Sequence, residues 1–299
     1  AETFTSPKLI ALQATLRDAI AHVSSLRSKQ RLLEFRDQEV FYGPSLLLMW
    51  ATQFSIELEN WRQQHGHKLT GWAEAWGEFE ALSSVAMYAD EREDGLEPEW
   101  APSGASLTAT NLKHPLLEDC VANAVTLDAK TRFYVISGSN MAGKSTFLRA
   151  IGLSLVLAKC GAPVRAQSFR AGDLRLGCAI QIEDSLLEGR SRFLAEVERL
   201  KRILDLAAEG PTLFLIDEML SGTNSSDRRL VATSVVNELI RRGAIGALST
   251  HDLALTEIAE NKALHGRNIH FSSTDEAEPL AFDYQWREGK VTGSNAVAI

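Results

Sequence analysis

Gly138-Ser139-Asn140-Met141-Ala142-Gly143-Lys144-Ser145-Thr146 decides the reading of this chain. It follows an apolar run, Phe133-Tyr134-Val135-Ile136, and opens a helical pattern through Phe147, Leu148, Ile151 and Leu155. This is G-x-x-x-x-G-K-[ST] with a strand before it and a helix after it, the context that gives the pattern its meaning. Glycine lets the loop curl so that backbone N–H groups point inward, and the helix N-terminus adds its positive end. Lys144 is expected to reach the outer phosphates of a nucleotide, and the Ser145 hydroxyl to sit on a magnesium ion. The bland alternative, a Gly-rich turn with a chance lysine, does not account for the flanking strand and helix.

A second element follows downstream. Thr212-Leu213-Phe214-Leu215-Ile216 is an apolar run bounded by Gly210-Pro211 and ending in Asp217-Glu218. In a nucleotide-binding sheet this strand is expected beside the phosphate-loop strand, with its carboxylates at the C-terminal edge where ligands bind. Asp217 is then expected to hold magnesium through water, and Glu218 to orient and polarise the attacking water. A third strand, Ala244 to Ser249, ends at Thr250-His251-Asp252. A histidine just past a strand end can donate to the outermost phosphate, against the alternative of an ordinary loop histidine. Between these elements, Ser191-Arg192-Phe193 opens a helix with Phe193, Leu194, Val197, Leu200, Ile203 and Leu204 on one face. Taken alone, Ser191 reads first as an N-cap and only second as a phosphate contact.

The remainder of the chain sets bounds. Its 299 residues, 45% hydrophobic and 23% charged, suit one large or two medium globular domains. A formal net charge of -8 gives no sign of a broad phosphate-binding face, though it leaves room for a local patch. Cys120, Cys160 and Cys178 lack metal-ligand spacing, and so sparse and odd a count fits a reducing compartment. No segment reads as a signal peptide, and the longest apolar run, Leu46 to Trp50, is far short of the ~20 residues that span a bilayer. The expectation is a cytoplasmic protein.

Residues 1–95 read as helical. Leu9, Leu12, Leu16, Ala19, Val23 and Leu26 form a helix seam that starts after Ser6-Pro7. A break is expected at Tyr42-Gly43-Pro44, then a second apolar stretch from Leu46 to Leu58. Gly66 ends it, and a third helix carries Trp72, Trp76, Phe79, Leu82 and Val85. The plain reading is a small bundle with its tryptophans in the core. His22, His65 and His67 read as surface or satisfied histidines without a third metal ligand. The acidic, then Pro- and Gly-marked stretch from Asp90 to Gly104 is the expected boundary, followed by an alternating strand and helix domain over 96–299.

These residues together resemble the ATPase domain of the MutS family of DNA mismatch-repair proteins, and more narrowly its MutS-like branch. The phosphate loop is close to G-x-N-M-x-G-K-S-T. Lys113-His114-Pro115-Leu116-Leu117 and Val121-Ala122-Asn123 match the opening of the family's nucleotide domain. Gly189-Arg190-Ser191-Arg192-Phe193 with Glu196 fits G-R-S-T-F-x-x-E, with Arg192 where threonine is usual. Asp217-Glu218 with Gly222-Thr223-Asn224 and Asp227 fits D-E-x-x-x-G-T-S, and Ser249-Thr250-His251 matches the terminal T-H. The resemblance covers about 106–299. It is looser for the helical half, where Phe79 to Ala86 is similar to the end of the lever helices that join ATPase to DNA clamp.

The resemblance implies an α/β fold of the ABC-type P-loop NTPase kind, a mixed sheet flanked by helices, preceded by an all-α domain. It implies a homodimer in which ATP and Mg2+ lie between one phosphate loop and the Ser191 helix of the other subunit. ATP binding then favours the closed dimer and hydrolysis releases it, with the helices passing the change to a DNA-holding part. Cys120 stands near where the family often sets an aromatic against adenine, and cysteine cannot stack in the same way. No Phe-x-Glu mismatch-reading module is recognisable. The chain stops at Ile299, before the usual helical dimerisation tail, so a fragment or a natural short form is expected. The leading reading is a Mg-dependent ATPase acting in DNA repair or recombination. The alternative is a nucleotide-gated DNA-binding or dimerisation module with little turnover. An unrelated ABC transporter subunit is disfavoured, because Gly189-Arg190-Ser191 stands where L-S-G-G-Q would be.

Overall fold

The structure is a computed structural model that describes residues 4–34, 42–92, 94–139, 141–180, 192–220, 224–273 and 282–291. The chain divides into two compact units, Ala1–Tyr88 and Ala89–Ile299.

The first unit is helical: α1 (Pro7–Glu34), α2 (Tyr42–Leu47), α3 (Trp50–His65), a 3-10 turn (Gly66–Lys68) and the start of α4 (Leu69–Asp90). The break expected at Tyr42-Gly43-Pro44 is instead the first turn of α2, where proline's fixed φ is tolerated. The chain turns at Met49, which takes a left-handed φ of 46° before α3. The expected tryptophan core is corrected in part. Trp61 and Trp72 are buried and pack with Ala19 and Leu26, whereas Trp76 is 53% exposed.

The second unit holds two sheets. The smaller has the order β1-β5-β2-β3, from Glu99–Trp100, Ser168–Ala171, Leu107–Leu112 and Asn123–Leu127. The larger has the order β10-β9-β4-β8-β7-β6. Its strands are β4 (Phe133–Gly138), β6 (Arg175–Ala179), β7 (Thr212–Asp217), β8 (Ile245–Thr250), β9 (Gly266–Ser273) and β10 (Phe282–Glu288). All its pairings are parallel except β10 on β9, so the sheet is mixed. Helices α5 (Lys144–Lys159), α6 (Arg192–Glu209) and α7 (Ser225–Arg241) flank it.

The central strands are buried on both faces, which explains their unbroken apolar runs. From β4, Tyr134 and Ile136 join α5 (Phe147, Leu148, Ile151, Leu155) and the inner residues of the small sheet, Leu107, Val125 and Leu127. Phe133 and Val135 face the other way, towards Leu200 and Ile203 of α6 and Val236 and Leu239 of α7. Tyr134, 1% exposed, donates its hydroxyl to the Thr126 carbonyl at 2.8 Å and accepts from the Thr126 N–H at 2.9 Å. That exchange satisfies the phenol and ties the sheets together, and burial raises its pKa.

Candidate nucleotide site

The site grows from the C-terminal ends of adjacent strands. β4 runs into the loop at Gly138, which has φ 144°, and a Cβ there would lie 2.4 Å from the Phe271 carbonyl oxygen. Gly143 has φ 103°, and α5 begins at the next residue without a side-chain cap. Only glycine takes both positions without strain. The first intrahelical bond to the loop is Phe147 N–H to Gly143 O, which leaves the N–H groups before it aimed beyond the helix end. Met141, φ 66°, is exposed, whereas Ala142 is buried and Ser139, Ser145 and Thr146 are half-buried.

Lys144 is 5% exposed and donates to the carbonyls of Gly138 at 2.9 Å and Ser139 at 2.8 Å. Burial pushes its pKa down, while the charges of Glu218 and Asp217 push it up. The lysine of the first motif and the acids of the second therefore share one electrostatic environment.

The strand order corrects one expectation. β7 does not lie beside β4, because β8 is hydrogen-bonded between them. A single strand spacing is about 4.8 Å, so the acids stand about 10 Å across the sheet from the loop strand. β8 fills that gap with small polar groups: Ser249 pairs in register with Asp217 and donates its hydroxyl to the Asp217 carboxylate. Thr250 pairs with Ser137 of β4. Glu218 turns away with φ 52°, followed by Leu220 at φ 53°, and its N–H reaches the Ser249 carbonyl at 3.3 Å. Left-handed non-glycine residues are held only where the surroundings fix them, and here they aim a carboxylate over the strand ends. His251 Nδ1 lies 3.3 Å from Glu218 Oε1, so the third motif meets the second.

The structure thus gathers the described residues of the loop, Gly138, Ser139 and Met141 to Thr146, with Asp217, Glu218 and His251 on one edge of one sheet. Asn140 and Ser191 lie outside the described residues, as do Gly222 and Thr223. Asn224, next to them, caps α7 by accepting from the Asp227 N–H at 3.0 Å.

On the far side of the α5 N-terminus is a cavity of about 150 Å³ lined by Gly143, Thr146, Phe147, Cys120, Val121 and Tyr284, among others. Cys120 does line it. Phe147, Phe271 and Tyr284 of β10 supply aromatic rings to the lining, and a Cβ on Gly143 would stand 3.2 Å from the Tyr284 ring. Arg165, 7% exposed, pins the wall of the cavity. It pairs with Asp94 at 2.9 Å and donates to the carbonyls of His114 (3.2 Å) and Leu117 (2.7 Å). Sequence reading gave no role to Tyr284, Arg165 or Ser249. Their partners are far along the chain, and no local pattern marks them.

Residues 134–299 match the family model for MutS domain V, and the chain belongs to the MutS family. The match covers the ATPase domain of that family of mismatch-repair proteins, whose members bind ATP with Mg2+ and act as dimers on DNA. It begins inside β4, one residue after Phe133, and takes in every motif described above from the phosphate loop onward. Among the described residues no helix is long and apolar enough to cross a membrane.

Proposed function

We propose that this chain binds and hydrolyses ATP with magnesium on an ABC-type P-loop NTPase domain, and couples nucleotide state to DNA in mismatch repair or a related repair or recombination process. The observation that carries this reading is the buried Lys144 inside its glycine-bounded loop, within electrostatic reach of Asp217 and Glu218. Backbone N–H groups of 139–146 and the α5 N-terminus receive the phosphates, and Lys144 neutralises the outer ones. The base rests in the cavity against Tyr284, an aromatic face that Cys120 cannot supply.

Among the described residues no cluster of three or more His, Cys, Asp or Glu could hold a metal ion by itself. Magnesium keeps waters and shares substrate phosphates with one or two protein oxygens. Ser145 and Asp217 are the residues to hold it, and bound there it supplies charge neutralisation. Glu218 orients and polarises the attacking water as general base. His251 holds the Glu218 carboxylate in place and faces the outermost phosphate. Ser191 of the partner subunit completes the site in a homodimer. The helices of 1–95 serve as the end of a lever to DNA-holding parts, and the protein works in the cytoplasm.

The test is steady-state ATP hydrolysis with magnesium for the wild type and for Lys144→Ala. The variant is expected to lose nucleotide binding and turnover together. A wild type that neither binds nor hydrolyses ATP ends the reading.

A further inference from the structure

One of the aromatic residues lining the cavity is held in an unfavourable backbone conformation, and the structure shows what holds it. Tyr284 has φ 55°. Between the pairs Phe282–Ser273 and Trp286–Phe271, β10 advances four residues while β9 advances two. Backbone groups in that bulge lose their regular ladder partners. Asn123 of β3 replaces them. It is 7% exposed, its Nδ2 donates to the Tyr284 carbonyl at 2.9 Å, and its Oδ1 accepts from the Trp286 N–H at 3.1 Å. Two more bonds run between the same segments: Gln285 Nε2 to Ala122 O at 3.0 Å and Trp286 Nε1 to Ala124 O at 2.8 Å.

We propose that Asn123 is a positioning residue of the nucleotide site: it clamps the bulge of β10 in the left-handed turn that lays Tyr284 over Gly143 and closes the base side of the cavity. This rests on the nucleotide reading given above. A carboxamide is required because the bulge presents one acceptor and one donor. Aspartate offers no donor, and an apolar residue would leave both part-buried backbone groups without this partner. Asn123 acts through Tyr284 and serves the base, leaving the phosphate loop to hold the phosphates.

The experiment is calorimetric titration with Mg-ADP and, separately, with magnesium and inorganic tripolyphosphate, which has no base to stack. The proteins are the wild type, Asn123→Ala, Asn123→Asp, Tyr284→Ala and the Asn123→Ala/Tyr284→Ala double variant. Loss of the two hydrogen bonds that fix one ring is expected to weaken ADP binding by about tenfold in Asn123→Ala. Tripolyphosphate binding is expected to stay near the wild-type value, and Tyr284→Ala is expected to absorb the effect so that the double variant is no weaker than the single. Asn123→Asp keeps an acceptor for Trp286 but sets a carboxylate oxygen against the Tyr284 carbonyl, and is expected to lose at least as much. Tyr284→Ala, at a residue 47% exposed, keeps the test decisive if neither Asn123 variant folds, since wild-type ADP affinity in it overturns the inference. Wild-type ADP affinity in both Asn123 variants overturns the inference and leaves the nucleotide reading intact. Parallel loss of ADP and tripolyphosphate, or an additive loss in the double variant, assigns Asn123 a general structural role and also overturns it. A wild type that binds neither ligand overturns the nucleotide reading itself.

Discussion

Residues 1–88 and 89–299 are put together in different ways. Among its described residues the helical unit is mostly helix and has few buried apolar side chains: Leu12, Ala19, Trp61, Trp72 and Ala75. Polar contacts carry much of what joins its helices. Trp61 donates to the His22 carbonyl at 3.1 Å, while Trp72 and Lys68 converge on Asp18 at 3.3 and 3.2 Å. In the α/β unit the central strands are buried on both faces, and two apolar clusters enclose the larger sheet. The contrast separates two sources of order. Helices need only local hydrogen bonds and a seam. The sheet exists only as a set of strands covered on both sides, and its covered edge is where chemistry can be held rigidly.

The comparison can be broken most directly at the site. Glu218→Gln keeps the shape and removes the proposed base, so ATP turnover should fall by roughly 10²–10⁴-fold while Mg-ATP binding persists. Unchanged turnover would remove Glu218 from the chemistry and leave the α/β unit as a binding scaffold. A smaller but still large effect is expected in its core. Leu215, fully buried, sits 2.9 Å from where a Cβ on Gly152 would be, so helix and sheet meet there without slack. Leu215→Ala should cost about 2–5 kcal/mol in urea denaturation of the α/β unit. A cost near zero would show that this core is no tighter than the helical one. The smallest effect belongs to the helical unit: Trp61→Phe removes the N–H to the His22 carbonyl and should cost about 1 kcal/mol, read from the helical signal on denaturation. A loss as large as that of Leu215→Ala would erase the distinction.

Much of the site was legible because its parts are local. The glycines of the phosphate loop, Lys144 and the helix behind them lie within a few residues of each other, and their chemistry constrains their spacing. Asp217-Glu218 and Thr250-His251 were legible for a related reason: an acidic pair or a histidine at the end of an apolar run marks a strand edge. The seam of α1 was legible as well, since Leu12 and Ala19 are buried, but it did not show that Val23 is exposed or that Trp76 faces outward. Periodicity says which residues share a face, not whether anything covers it.

The sequence by itself determined the family, the α/β class, the phosphate loop and the strand-end acids, because each is written in residues close along the chain. Tertiary structure alone decided that β8 separates β4 from β7, that Ser249 donates to Asp217, and that Tyr284 and Cys120 line one cavity. No strand encodes its neighbour locally. The pairing of Asn123 with a carbonyl 161 residues away is chosen by which surfaces the whole sheet buries together.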